Sequence, residues 1–157
     1  GFLYAGLMII DNEPFLIEYN VRMGDPECQT ILPKLKTDFF EILNSCVSQN
    51  LDKVNIEFSF EKSLCIVLCS NGYPEKYQNN VEIKNLDKID LNKNSFIYHA
   101  GTKMINNKVY SNGGRVLNFV VKSDDFGFSR SSALDLIKKL NWDNGHYRRD
   151  IGFKVIN

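Results

Sequence analysis

Three polar residues that could do chemistry stand at alternate positions early in the chain: Glu18, Asn20 and Arg22. On a β-strand, side chains two residues apart project from the same face, so all three would point the same way. Carboxylate and amide oxygens are hard ligands of the kind that Mg²⁺ takes, with waters and substrate phosphates completing its octahedron. A guanidinium can donate two hydrogen bonds to a phosphate. The spacing therefore predicts the edge of a magnesium-nucleotide site, and a polar strand end before a Gly-Asp-Pro turn is the alternative that it leaves open.

The residues that follow form the most specific motif in the chain, Arg22-Met23-Gly24-Asp25-Pro26-Glu27-Cys28-Gln29. Shorter motifs surround it in order: Tyr4-Ala5-Gly6-Leu7-Met8, Gly72-Tyr73-Pro74, His99-Ala100-Gly101-Thr102, Asn112-Gly113-Gly114-Arg115-Val116-Leu117 and Arg149-Asp150-Ile151-Gly152. Together they closely resemble the C-terminal part of the phosphoribosylamine-glycine ligases, which are ATP-grasp enzymes of purine biosynthesis. The resemblance covers nearly the whole chain. Met23, where the family more often has Phe or Leu, is a small departure that changes no chemistry.

The resemblance implies an ATP-dependent ligase that joins glycine to phosphoribosylamine through a glycyl phosphate. Its cofactor would be Mg²⁺ (or Mn²⁺), with ATP as co-substrate. Carried over residue by residue, Glu18 and Asn20 match the family's metal ligands. Arg22 would be the catalytic residue that stabilises charge on the phosphates or the acyl phosphate. Positioning and electrostatics do most of the work in such a reaction, so no nucleophilic side chain is required.

Asp25, Gly114 and Arg115 are further candidates for substrate binding, beside Arg22. Asp25 either accepts backbone N–H groups to start the turn before Pro26, or holds an ammonium group or Arg22. Gly114 and Arg115 either let the backbone approach a phosphate that Arg115 pairs, or form a glycine bulge at the start of a strand. The sequence leaves both choices open.

The remaining polar candidates are expected to have supporting roles. Glu27 and Gln29 should hold neighbouring side chains rather than contact substrate. His99 lies in a predicted strand and is expected to be a hydrogen-bonded wall residue rather than a general base. His146, beside a glycine in a polar loop, is expected at the surface.

Composition narrows the class of protein. The 19 basic and 19 acidic residues cancel, which leaves no electrostatic footprint for nucleic acid or an anionic membrane. No apolar run approaches the roughly 18 to 20 residues that span a bilayer, and no secretory leader is visible. The cysteines contain no C-x-x-C pair, so reduced thiols are expected rather than a disulfide or zinc site. We therefore expect a cytoplasmic protein without a nucleic-acid or membrane partner.

The elements that would position these residues favour an α+β fold. Apolar runs at 2–10 and 15–19 predict a hairpin that delivers Glu18 to an edge. Asp38 can cap a helix over 38–49. The apolar run 64–69 predicts a strand covered on both faces.

Further along, the pattern predicts shorter elements. Asn106-Asn107 should turn a hairpin between strands at 96–105 and 109–111. A short strand at 81–83, a strand at 116–121, a helix from about 123 to 140 and a final strand complete the prediction. The expected architecture is a remnant of an ATP-grasp lobe followed by a small mixed or antiparallel sheet with one or two helices.

The domain prediction follows from a charged connector at 50–61. Residues 1–50 would be the C-terminal part of the ATP-grasp domain, with the magnesium-ligand strand and a helix, and 51–157 the C-terminal α+β domain. No Gly-rich phosphate loop is present. The chain is therefore expected to be a C-terminal fragment, inactive by itself, whose partner is the missing N-terminal portion of the ligase.

Two other functions are weighed against the ligase. The C-terminal lobe of another ATP-grasp enzyme, such as a biotin-dependent carboxylase, would share the E-x-N-x-R strand but is expected to differ at the Gly24-Asp25-Pro26-Glu27 run, which decides against it. A non-catalytic binding or assembly module is the second. The missing ATP-binding half and a sheet edge left unpaired at 2–10 support that alternative.

Overall fold

The computed structural model describes residues 1–156 and forms two compact units, an N-terminal unit, Gly1–Ser59, and a C-terminal unit, Phe60–Asn157. The strands are β1 (Tyr4–Ile10), β2 (Glu13–Asn20), β3 (Lys62–Ser70), β4 (Ser95–His99), β5 (Thr102–Ile105), β6 (Lys108–Ser111), β7 (Arg115–Ser123) and β8 (Gly145–His146). The helices are α1 (Glu27–Ile31), α2 (Phe39–Val47), α3 (Phe126–Leu140) and α4 (Phe153–Ile156). The strand pairs are antiparallel, which confirms the predicted α+β class. No helix in the described residues 1–156 is long and apolar enough to cross a membrane.

The N-terminal unit begins with the predicted hairpin of β1 and β2. Asp11 and Asn12 turn it with φ of 50° and 66°, the left-handed region that a two-residue hairpin turn requires. The pairing register shifts between Gly6 and Leu7, so a bulge interrupts the ladder midway. Apolar side chains on both faces of the hairpin remain exposed within this chain.

Two helices follow the hairpin in the same unit. The predicted helix is α2, and the Asp38 carboxylate caps it by accepting the Glu41 N–H at 3.0 Å. The connector then turns back, and the Ser59 N–H donates to the Lys34 carbonyl at 2.7 Å. Residues 51–59 therefore pair within the N-terminal unit. The domain boundary after residue 50 stays a prediction.

The C-terminal unit is built on a four-stranded antiparallel sheet with strand order β4-β7-β3-β8. The apolar run in β3 is almost continuously buried, as predicted for a strand covered on both faces. Helix α3 packs on β3 and β7, and its N-terminus is capped by Asp125, which accepts the Phe128 N–H at 2.7 Å. Its buried residues join those of the sheet in one hydrophobic core that includes Ile66, Leu117 and Phe119.

Three details of this unit differ from the sequence prediction. The strand expected over 96–105 is divided into β4, which pairs with β7, and β5, which pairs with β6 in a separate two-stranded sheet. The short strand expected at 81–83 is a single bridge between Glu82 and Tyr110. The final strand is only the two-residue β8, which pairs with Cys69 and Ser70, and helix α4 follows it.

The cysteines are free thiols, as predicted. Cys65 and Cys69 share β3, where Cys65 is buried and Cys69 is half-buried. They therefore serve as small apolar residues of the fold.

Candidate functional site

Glu18 and Asn20 meet at the end of β2. The Asn20 Nδ2 atom donates a hydrogen bond to Glu18 Oε1 at 2.9 Å, which holds the two side chains side by side as the strand period predicts. The bulge, in which Ile17 of β2 is the extra residue, places Gly6 opposite Glu18 and Tyr4 opposite Asn20. A side chain at Gly6 would bring its Cβ to 3.1 Å from Glu18 Cγ, so the glycine leaves room for the carboxylate.

This pair has the donor chemistry that a magnesium-nucleotide complex needs. Glu18 and Asn20 offer hard carboxylate and amide oxygens, and Mg²⁺ is commonly bound by one or two carboxylates, with substrate phosphates and waters filling the other positions. Within residues 1–156, no group of three or more His, Cys, Asp or Glu side chains forms a fuller cage. The residues fit an ion that arrives with phosphates, since the protein itself offers a partial shell.

Arg22 lies beyond the end of β2, so the strand period does not set its direction. Its exposed guanidinium donates from Nη1 to the Met23 carbonyl at 3.2 Å. It lines a cavity of about 350 Å³ in the N-terminal unit, with Tyr4 and Glu27 among the other polar residues of the wall. The structure therefore places a guanidinium, a carboxylate and a phenol around one small space.

Glu27 organises this cavity. Its Oε2 atom accepts the Gly24 N–H at 3.0 Å and so closes the Gly-Asp-Pro turn, a role that the sequence offered to Asp25. The Glu27 carboxylate also raises the pKa of the Tyr4 hydroxyl above its ordinary value, chiefly by its charge, with smaller contributions from desolvation, a hydrogen bond to Glu27 and the charge of Glu18. The Tyr4 hydroxyl therefore stays neutral to a higher pH than an isolated tyrosine.

Asp25 is tied to the first turn of α1. Its Oδ1 atom accepts a hydrogen bond from Gln29 Nε2 at 2.7 Å, and the side chain is exposed. The Asp25–Pro26 peptide bond is cis. Gln29 and Glu27 thus make the supporting contacts expected of them, the former to the side chain of Asp25 and the latter to the backbone of the turn.

The C-terminal unit carries the other two candidates, Gly114 and Arg115, where β7 begins. Ser70 holds this start from β3: its N–H donates to the Gly114 carbonyl at 2.8 Å and its hydroxyl to the Gly113 carbonyl at 2.9 Å. The β3–β7 register shifts at this point, between Leu68 and Cys69, so the glycines enter the strand beside a bulge. Arg115 projects an exposed guanidinium whose Nε donates to the Tyr73 hydroxyl at 3.2 Å.

The charge of Arg115 also affects the pKa of the Cys69 thiol on β3. Burial raises the pKa of the Cys69 thiol above its ordinary value, and the Arg115 guanidinium opposes this effect. The thiol therefore stays protonated near neutral pH, which agrees with a structural role for Cys69.

The two histidines lie outside both sets of residues. His99 is exposed at the end of β4, where its Nδ1 lies 2.9 Å from Thr102 Oγ1. His146 is exposed in β8. These contacts match the hydrogen-bonded and surface positions predicted for them.

Sequence reasoning missed two tyrosines. Tyr4 lies opposite Asn20 because of the bulge in β2; an unbroken register from the turn would pair it with Tyr19 instead. Tyr73 reaches Arg115 across 42 residues of sequence. The Gly72-Tyr73-Pro74 motif was a signal that this segment matters, but not of the residue that it contacts.

Comparison with known proteins shows which family the chain matches. Residues 63–154 match the family described as phosphoribosylglycinamide synthetase, C domain, and residues 1–28 match the phosphoribosylglycinamide synthetase ATP-grasp (A) domain. The chain is 40% identical over 153 residues to the phosphoribosylamine–glycine ligase of Fusobacterium nucleatum, an alignment that covers 97% of this chain and 36% of that protein. The chloroplastic enzyme of Arabidopsis thaliana is 36% identical over 160 residues, with 99% of this chain and 30% of that protein covered.

A solved structure gives the same result at the level of the fold. The crystal structure of phosphoribosylamine–glycine ligase from Thermotoga maritima aligns with a TM-score of 0.75 and 32% sequence identity, covering 97% of this chain and 37% of that one. The chain thus spans about a third of the length of the proteins that it matches.

Proposed function

Because this chain belongs to the phosphoribosylglycinamide synthetase family, we propose that it is the C-terminal part of an enzyme that joins glycine to 5-phosphoribosylamine at the expense of ATP. The product is glycinamide ribonucleotide, an intermediate of purine biosynthesis. The observation that carries the proposal is the hydrogen-bonded pair Glu18 and Asn20, which lies within the residues that match the ATP-grasp domain. The activity belongs to a longer protein, since the chain spans about 36% of the bacterial relatives' length.

In this proposal Glu18 and Asn20 hold Mg²⁺, or Mn²⁺ in its place. The bound ion would neutralise charge on the ATP phosphates and so favour attack at the γ-phosphorus. The contribution of the chain is to keep both oxygen ligands at one strand end. Gly6 leaves space for the carboxylate, and the hydrogen bond between the ligands limits their rotation.

The reaction would proceed in two steps. A carboxylate oxygen of glycine attacks the γ-phosphorus, the bond to the bridging oxygen breaks, and ADP leaves with that electron pair. The amine nitrogen of phosphoribosylamine then attacks the carbonyl carbon of glycyl phosphate, inorganic phosphate leaves, and the nitrogen loses a proton to solvent. Arg22 stabilises the charge on the transferred phosphoryl group, and Asp25 attracts the glycine ammonium group.

Gly114 and Arg115 are assigned to the phosphate of phosphoribosylamine. The exposed guanidinium can donate to a phosphate oxygen, and Gly114 precedes it where β7 begins. Free thiols support a reducing compartment, so we assign the protein to the cytoplasm. The partners are then ATP, glycine, phosphoribosylamine and the N-terminal portion of the ligase.

The test is product formation by the full-length protein that contains this chain. It is incubated with ATP, Mg²⁺, glycine and phosphoribosylamine generated from ribose 5-phosphate and ammonia, and products are measured by mass spectrometry. We expect glycinamide ribonucleotide, ADP and phosphate in equal amounts, and no ADP when glycine is omitted. Absence of glycine-dependent ADP formation by folded full-length protein would overturn the proposal.

A non-catalytic assembly role is favoured by one observation, the exposed apolar residues on the hairpin of β1 and β2, of which Ile9 is 60% exposed. Such a surface could pair with another chain. Size-exclusion chromatography with light scattering separates the two functions. A stable oligomer of the full-length protein without ligase activity would support assembly, and an active monomer would exclude it.

A further inference from the structure

Tyr73 packs directly against the backbone where β7 begins. A Cβ atom added to Gly114 would fall among the ring atoms of Tyr73, the nearest being Cδ2 and Cε2. Gly114 is buried and Tyr73 is half-buried, so the ring covers this peptide. The absence of a side chain at 114 is therefore what admits the ring.

Other contacts hold Tyr73 in this place. Its N–H donates to the Ser70 carbonyl at 3.1 Å, so the turn after β3 fixes its backbone. Ser70 also binds the carbonyls of Gly113 and Gly114, which means that one residue anchors both the tyrosine and the glycines. The ring of Tyr77 lies beside that of Tyr73, with centroids 6.1 Å apart.

The hydroxyl of the anchored ring accepts the hydrogen bond from Arg115 Nε at 3.2 Å. An arginine side chain otherwise has large rotamer freedom, and its guanidinium is planar. A hydrogen bond at Nε therefore restricts the plane in which the other N–H groups point. Because a phosphate is best recognised by a guanidinium of fixed orientation, restricting that plane should strengthen binding.

We propose that Tyr73 is a positioning residue that orients Arg115 for the phosphate of phosphoribosylamine. This inference rests on the proposed function for the identity of the ligand. It assigns a role to the Gly72-Tyr73-Pro74 motif and explains the need for glycine at 114. Tyr73 acts through Arg115 and takes no part in the phosphoryl or glycyl transfer.

The test uses Tyr73→Phe in the full-length protein, because phenylalanine keeps the ring over Gly114 and removes only the hydroxyl. We expect the apparent KM for phosphoribosylamine to rise about 3- to 10-fold, the size expected for the loss of one ordinary hydrogen bond. The kcat and the KM values for ATP and glycine should change less than about twofold. Tyr77→Phe, which removes the hydroxyl of the neighbouring ring, is the matched control.

A double-mutant cycle with Arg115→Ala tests whether the effect passes through the arginine. In that background Tyr73→Phe should have no further effect on the KM. Additive effects, or a Tyr73→Phe variant that loses only thermal stability while its KM is unchanged, would overturn the inference and leave Tyr73 with a structural role.

Binding of ribose 5-phosphate, followed by ligand-observed NMR, gives a readout that does not depend on turnover. Tyr73→Phe should weaken it by the same 3- to 10-fold factor, and Tyr77→Phe should not. If the full-length protein lacks ligase activity, the proposed function fails while this measurement still decides the role of Tyr73. Equal affinity of Tyr73→Phe and wild-type protein for ribose 5-phosphate would contradict the positioning role of Tyr73.

Discussion

The two units of the chain differ in how completely each one buries its apolar side chains. Every buried hydrophobic residue among residues 1–156 lies in the C-terminal unit, where Phe119 and Ile66 are at most 1% exposed. Within residues 1–59, all of which the structure describes, Ser45 is the one buried side chain. The N-terminal unit nevertheless carries the candidate metal ligands Glu18 and Asn20. The candidate metal ligands thus lie on the unit that has the less complete core of its own.

The difference in buried apolar side chains should make the two units differ in stability. Burying a large apolar side chain contributes about 1.5–3 kcal/mol, and a hairpin with both faces open gains little of it. Isolated two-stranded hairpins are marginally stable in water. The C-terminal unit is therefore expected to fold by itself. The hairpin that presents Glu18 and Asn20 should depend on the rest of the ATP-grasp domain.

Separating the chain from that domain should have the largest effect, a complete loss of turnover. We predict that the 157-residue chain forms no glycinamide ribonucleotide and binds ATP weakly at most, because an ATP site of this class is closed by both lobes. The measurement is ADP release with and without glycine, compared with full-length protein at equal concentration. Ligase activity from the 157-residue chain alone would contradict this prediction.

Truncating one phenylalanine in each unit should sharpen the comparison of the two units. Phe119→Ala should lower the free energy of unfolding by about 3–5 kcal/mol, and Phe15→Ala, which is half-exposed on β2, by less than about 1 kcal/mol. Urea unfolding of the 157-residue chain, followed by the fluorescence of its one tryptophan, Trp142, reports on the C-terminal unit. Equal losses for the two variants would show that the units share one core.

Hydrogen exchange should show the same division without mutation. Amides of β3 and β7 in the 157-residue chain should exchange at least about 100-fold more slowly than those of β1 and β2. In the full-length protein the hairpin amides should become protected, since its open faces would be covered. Mass spectrometry of peptides from each strand provides the measurement. Equal protection of the hairpin amides in both proteins would show that the hairpin does not need the rest of the ATP-grasp domain.

The smallest effect concerns Tyr4 and Glu27 in the N-terminal unit. Glu27→Gln removes the main cause of the raised pKa of Tyr4, so this pKa should fall toward the ordinary value of 10.0. With the wild-type pKa raised, the stability linked to the Tyr4 proton is fully present below pH 10 and is lost as pH rises through the folded-state value. NMR titration of the Tyr4 ring checks the shift, with Glu13→Gln as the control. An unchanged Tyr4 pKa in Glu27→Gln would exclude the contact.

Local signals sufficed for the elements that depend on neighbouring residues. The cap of Asp38 and the apolar spacing after it located α2, and Asn106-Asn107, both with positive φ, turned the hairpin of β5 and β6 as predicted. The two-residue period of a β-strand likewise predicted that Glu18 lies beside Asn20. Each of these features is decided by residues a few positions apart, so the sequence pattern contains it.

Other features arise from contacts distant in sequence and could not be read from the pattern. The bulge between Gly6 and Leu7 shifts the register and puts Tyr4 opposite Asn20. The Arg115–Tyr73 hydrogen bond joins the first residue of β7 to the turn after β3. These are products of tertiary pairing.

Magnesium dependence of the full-length enzyme tests the central claim most directly, namely that the exposed hairpin supplies the metal ligands. Asn20→Ala should raise the Mg²⁺ concentration for half-maximal rate roughly tenfold, equivalent to about 1.4 kcal/mol, and high Mg²⁺ should restore part of the rate. Glu13→Gln, at the far end of the same strand, should leave the magnesium curve unchanged. A folded Asn20→Ala enzyme with the wild-type magnesium curve would remove Asn20 from the site and contradict the account.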